Sequence, residues 1–173
     1  MKVEAISINQ VFLNNRVLKI PFFQRGYVWN ESNWQRFFDD IANVASLPEG
    51  ETPEKYFLGS IILRDAGFKN GCQQFDVIDG QQRLTSFFSF ISGKFPDGKE
   101  FKLGKMQVFH ELKGKSFSDL SDEYQERIEE CPIRTITFLK GSDPELKFNV
   151  FERLNTGAVA LNDQELRNCI YRG

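Results

Sequence analysis

Phe75-Asp76-Val77-Ile78-Asp79-Gly80-Gln81-Gln82-Arg83-Leu84 is where an apolar run gives way to a helical pattern. Phe75, Val77 and Ile78 read as a buried strand, and Leu84, Phe87, Phe88 and Ile91 recur after it at helical spacing. The polar residues between them therefore occupy a strand-to-helix junction. The first turn of a helix leaves backbone N–H groups without intrahelical partners and carries the positive end of the helix dipole. With Gly80 allowing a close approach to the backbone, the junction suits an anion, and phosphate is the first candidate.

Outward from this junction, the chain reads as a mixed α+β domain with four or five strands and about five helices. Before it, Tyr56 to Leu63 forms an apolar strand around Gly59, Gly67 to Gly71 a polar turn, and Gln74 to Ile78 its hairpin partner. After it, Gly93 ends the helix and Pro96 to Gly98 makes a loop. Val17 to Phe23 reads as a strand in which Pro21 removes a ladder donor and so indicates an edge position or a strand end. It delivers Gln24 and Arg25 at its exit. Ser32 with Gln35 predicts a capping box for a helix carrying Trp34, Phe37, Phe38, Ile41, Val44 and Ala45, closed by Pro48 and Gly50. Between Lys99 and Phe117, the apolar residues Phe101, Leu103, Met106, Val108 and Phe109 predict one or two short strands joined at Gly104. Ser121 starts a charged helix to about Glu130, and Ile133 to Leu139 reads as a β-branched strand with both faces covered. Two more helices are expected, one capped by Ser142 or Asp143 and ended at Asn155-Thr156-Gly157, the other starting at Asn162 and cut off at Gly173.

A chain of 173 residues, 40% of them hydrophobic, fills one core and not two. Most of its 18 phenylalanines fall in periodic segments, which assigns them to the core and not to a base-stacking surface. The net charge of −2 excludes a global basic excess of the kind that binds duplex DNA through counterion release. Cys72, Cys131 and Cys169 are odd in number and far apart, so neither a disulfide framework nor a zinc site is expected, and the compartment reads as reducing. Met1 opens onto Lys2, Val3 and Glu4 with no signal-like apolar stretch, and no apolar run approaches the ~18 residues that span a bilayer. A cytoplasmic protein is expected.

Each polar cluster admits a structural and a chemical reading. Asp79 with Gln82 has capping-box spacing, yet two glutamines and Arg83 also place amide and guanidinium donors where the backbone favours an anion. Arg25 either pairs with Asp39 or Asp40, or joins Arg83 in a phosphate clamp. Asn155 and Gly157 fit a plain helix end, while Arg153 either meets the terminal carbonyls or supplies a third positive group. His110 is the single histidine and is expected to be structural; no metal site, catalytic dyad, Walker A loop or G-x-G-x-x-G run is present.

Four segments in order resemble the N-terminal domain family of GmrSD-type, modification-dependent restriction proteins, within the ParB and sulfiredoxin-like superfamily. They are Ile20-Pro21-x-x-Gln24-Arg25-x-Tyr27-x-Trp29, Tyr56-Phe57-Leu58-Gly59-Ser60-Ile61, Val77-Ile78-Asp79-Gly80-Gln81-Gln82-Arg83-Leu84-Thr85, and Phe151-x-x-Leu154-Asn155-x-Gly157 with Leu161 and Glu165-Leu166-Arg167-Asn168. The resemblance runs from about residue 8 to 173, as one domain truncated at its C-terminal end. It implies a ParB/sulfiredoxin-like mixed sheet with flanking helices, and a domain that binds and hydrolyses a nucleoside triphosphate with Mg²⁺ in defence against modified or invading DNA. Carried over by position, Asp79, Arg83 and Gln82 form the catalytic set, and Gln24, Arg25, Gly80, Gln81, Arg153 and Asn155 the nucleotide-binding set. DNA cleavage is then expected in a C-terminal HNH-type region or a separate nuclease subunit. Competing readings are a DNA-binding or nicking module without nucleotide turnover, and an assembly surface without any turnover.

Overall fold

The computed structural model describes residues 1–13, 15–22, 24–48, 58–107, 109–143, 145, 149 and 150. Its strands are β1 (Lys2–Ser7), β2 (Arg16–Lys19), β3 (Ser60–Lys69), β4 (Cys72–Asp79) and β5 (Pro132–Phe138), and its helices α1 (Ile8–Val11), α2 (Glu31–Ala45), α3 (Gln81–Ser92) and α4 (Asp122–Glu129). The strands form one open sheet in the order β1-β5-β3-β4-β2. β3 pairs antiparallel with β4 and parallel with β5, β1 is antiparallel to β5, and β2 is parallel to β4. This is the expected mixed sheet with flanking helices.

The β3–β4 hairpin turns at Asn70 and Gly71, whose φ angles of 53° and 80° match the twist of the flanking strands. The strand runs past the expected turn start because irregularities in the pairing between Asp65 and Gly67 absorb the glycine. β2 lies at the sheet edge and ends at Lys19, before Pro21, in keeping with the edge position or strand end expected of that proline. β1 and α1 carry no clear periodicity in sequence; β5 supplies the pairing for β1, and Ile8 and Val11 anchor the one-turn α1 in the core.

α2 buries Trp34, Phe37, Phe38 and Ile41, and α3 buries Leu84, Phe87 and Phe90, in one cluster with Ile61, Leu63, Phe75 and Val77 of the central strands. The alternating residues Ile62, Ile78, Ile136 and Phe138 are buried as well, as expected of a sheet covered on both faces. Among the described residues Phe87, Phe90, Phe101 and Phe138 are the largest fully buried side chains; Phe90 lies 4.8 Å from Phe38 and 5.4 Å from Phe101, which in turn lies 4.8 Å from Trp34. A fully buried Phe contributes roughly 1.5–3 kcal/mol through burial alone.

Two local expectations are corrected. α2 starts at Glu31 under a capping box of Asn30 and Asn33, not of Ser32 and Gln35, because the second asparagine amide is at the right spacing to return the bond. Gln35 is thereby released to accept from Gly104 N at 2.8 Å. From Lys99 to Phe117 the described residues contain no strand, only an isolated bridge between Lys94 and Glu100. Phe101, Leu103 and Met106 are buried there as expected of strands, but their backbone is satisfied by side chains and turns instead: Gln107 N donates to the buried Asp39 at 2.9 Å and Phe101 N to Gly93 O at 2.9 Å.

Of the first helix expected after Ser142, the described residues Glu145, Asn149 and Val150 are helical and Asp143 Oδ1 accepts from Glu145 N at 2.8 Å, as a helix cap does, whereas the second expected helix lies outside the described residues. Phe23, Val108 and Cys169 also lie outside them. Burial pushes the Cys131 thiol up to about 12. Among the described residues no helix is long and apolar enough to cross a membrane.

Candidate functional site

Asp79 is the last residue of β4, paired with Ile62 of β3, and that assignment decides its chemistry. A strand residue cannot cap the next helix, and the N-cap of α3 is Gly80, in the left-handed region at φ 95° with no side chain to offer its N–H groups. The capping-box reading of Asp79 and Gln82 is therefore corrected. A Cβ at position 80 would run into Ile61 and lie 3.4 Å from Ser60 O, so the close approach that this glycine permits is made by β3.

Arg83, in the first turn of α3, folds back over the start of β3. Its Nη1 donates to Ser60 O at 3.2 Å, and a Cβ on Gly59 would stand 2.5 Å from its Nε, which explains why a glycine with φ 87° precedes the strand. The same Nη1 lies 3.9 Å from Asp79 Oδ2, too long for a hydrogen bond. Asp79 keeps 35% of its side chain exposed and Arg83 25%, so both charges border solvent at the helix start. Gln81 is half-buried in the first turn beside them.

The segment from Gln24 to Trp29 is joined to this junction by side-chain amides. Gln24 Nε2 donates to Val77 O at 2.7 Å and to Ile78 O at 2.9 Å, at the end of β4. Gln82 Oε1 accepts from Val28 N at 2.9 Å and from Trp29 N at 3.1 Å, while its Nε2 donates to Gly26 O at 3.1 Å. Tyr27 Oη shares a 2.8 Å hydrogen bond with the buried Ser86 Oγ, and burial raises the Tyr27 hydroxyl above its ordinary value against that bond. Trp29 meets Phe37 edge-on at 5.8 Å.

The structure thus gathers Gln24, Asp79, Gly80, Gln81, Gln82 and Arg83 within one strand-to-helix junction, with Arg25 on the segment fastened to it. Asp39 is occupied by Gln107 N. Burial raises the pKa of Asp40, and Arg36 is the guanidinium that acts against this. Arg153 and Asn155 lie outside the described residues. His110 is exposed on a single 3-10 turn, His110–Leu112. Three residues to which the sequence assigned no role complete the junction. Ser60 contributes its carbonyl, and Tyr27 and Ser86 a hydroxyl pair; a serine between Leu84 and Phe87 on the buried helix face was the available signal for the last.

Among the described residues no group of three or more His, Cys, Asp or Glu could hold a metal ion. Among the described residues the junction brings together the Asp79 carboxylate, the Arg83 guanidinium and the start of α3, and a guanidinium and a helix start both favour negative charge. A comparison with curated proteins returns no match. The family model described as GmrSD restriction endonuclease, N-terminal domain, matches residues 8–172, nearly the whole chain. The chain belongs to the N-terminal domain family of the GmrSD restriction endonucleases, and its role lies in DNA restriction.

Proposed function

We propose that this domain binds a nucleoside triphosphate with Mg²⁺ at the β4–α3 junction and hydrolyses it, as the regulatory part of a restriction system whose DNA cleavage resides in an HNH-type region or separate nuclease subunit. The observation that carries the reading is the start of α3: no side chain of its N-cap closes it, and Asp79 and Arg83 border it partly exposed and not hydrogen-bonded to each other. An anion there meets the dipole and the first-turn N–H groups together with a guanidinium.

Arg83 and Arg25 neutralise phosphate charge in this scheme, with Arg153 as a third cation, and Gln81 orients a phosphate oxygen or the attacking water. Asp79 holds that water or the metal. A single carboxylate fits Mg²⁺, which is commonly bound through one or two carboxylates and the substrate's own phosphates, without a protein cage. When bound, Mg²⁺ supplies further charge neutralisation on the phosphates. The protein's contribution is electrostatic positioning.

Thermal melts with ATP, GTP, CTP and UTP, each with and without Mg²⁺, test the proposal. A nucleotide that binds only the folded chain, at about a hundredfold excess over its Kd, adds about 2.7 kcal/mol and raises Tm by several degrees. Asp79→Asn and Arg83→Lys are expected to melt near the wild type without nucleotide and to lose that rise and phosphate release. No rise with any nucleotide, and no phosphate release with or without DNA, would sink the reading. Steeply salt-dependent DNA binding without nucleotide would assign the same groups to a DNA backbone instead.

A further inference from the structure

Gln24 and Gln82 are the two junction glutamines whose amides are committed to backbone. Gln24 donates to two carbonyls of β4, and Gln82 both accepts from Val28 N and Trp29 N and donates to Gly26 O. The partners fix both orientations: Val77 O, Ile78 O and Gly26 O can only accept, and Val28 N and Trp29 N can only donate. Each amide joins parts of the chain more than fifty positions apart. Arg25 stands in sequence between the two fastenings, Gln24 on one side and Gly26 on the other.

From this we infer that Gln24 and Gln82 are positioning residues, not groups that touch phosphate or water, and that they act through the place they fix for Arg25. Gln82 thereby leaves the catalytic set, and of the two glutamines after Gly80 only Gln81 remains to meet the ligand. The inference rests on the nucleotide reading given above and assigns roles within that site. Five hydrogen bonds to backbone fasten the segment Gln24 to Trp29, none of whose residues belongs to a helix or strand. A displacement of about 1 Å in such a group costs on the order of a hundredfold in a positioned reaction.

Two measurements on the full chain separate the parts of this inference. Amide hydrogen exchange without nucleotide is expected to speed up at Val28 and Trp29 in Gln82→Ala, and to remain slow in Gln82→Glu, which keeps the acceptor oxygens. Binding of inorganic triphosphate with Mg²⁺, measured well below Tm, is expected to weaken about tenfold to a hundredfold in Gln82→Ala, the loss of a charged hydrogen bond from Arg25, and less in Gln82→Glu. Adding Arg25→Ala to Gln82→Ala is expected to cost little beyond either change alone, because both remove the same contribution. Unchanged exchange at Val28 and Trp29 in Gln82→Ala, or triphosphate affinity equal to wild type in a variant whose exchange has risen, overturns the positioning role while leaving the nucleotide reading intact. Losses that add in full overturn the route through Arg25. Failure of the wild-type chain to bind triphosphate overturns the nucleotide reading and the inference with it.

Discussion

α2 and α3 lie side by side on one sheet, and their starts are built in opposite ways. α2 begins under a reciprocal pair, Asn33 N donating to Asn30 Oδ1 and Asn30 N to Asn33 Oδ1, both at 3.1 Å. α3 begins at a glycine with no side-chain cap, while Asp79 belongs to the strand and Gln82 is turned to another segment. A closed start spends its polar groups on its own backbone, and its role ends with stability. An open start leaves its neighbouring side chains to other uses, such as holding one another in place, and α3 takes its stability from the burial of Leu84, Phe87 and Phe90.

Substitutions at the two starts should separate these uses. Gly80→Ala should be the most damaging: the left-handed backbone costs a Cβ ~1–2 kcal/mol, and the collision with Ile61 adds ~1–3 kcal/mol, so about 3 kcal/mol of stability is lost in urea unfolding. A wild-type unfolding midpoint in this variant would show that β3 does not need the close approach. Asn30→Ala should cost ~1 kcal/mol and leave nucleotide-induced stabilisation untouched, because the α2 cap serves only the helix. Should that variant lose its nucleotide response as well, the contrast between the two starts fails.

The smallest effect is a pH dependence on the α3 side. Burial raises the Tyr27 pKa above its ordinary 10.0, so the stability tied to its protonated form is fully present below pH 10 and is lost as pH rises through the higher folded value. Tyr27→Phe should therefore show a shallower loss of stability above pH 10 than wild type, read from urea midpoints at successive pH values. Parallel slopes in the two proteins would remove Tyr27 as a group whose ionisation the fold opposes.

Much of this was legible along the chain because it depends on neighbours in sequence. The junction at Asp79 and Gly80, the hairpin before it, the end of α3 at Gly93 and the edge position before Pro21 all follow from periodicity, glycine and proline. The segment from Lys99 to Phe117 was misread because buried apolar residues look alike whether their backbone pairs with a strand or with Asp39 and Gln35. Asp79 looked like a cap because spacing cannot tell whether a residue ends a strand or starts a helix.

The sequence by itself determined that strand and helix meet at a polar, glycine-containing junction, since local backbone preference and apolar spacing suffice for that. Which of the junction's side chains are engaged with distant backbone was decided only by the tertiary structure. Gln82 is committed because Val28 and Trp29, more than fifty residues earlier, present N–H groups beside it, and Arg83 is held at the start of β3 because Gly59 has no side chain to displace it. Hydrogen bonds act over about 3 Å in space, with no regard to separation along the chain.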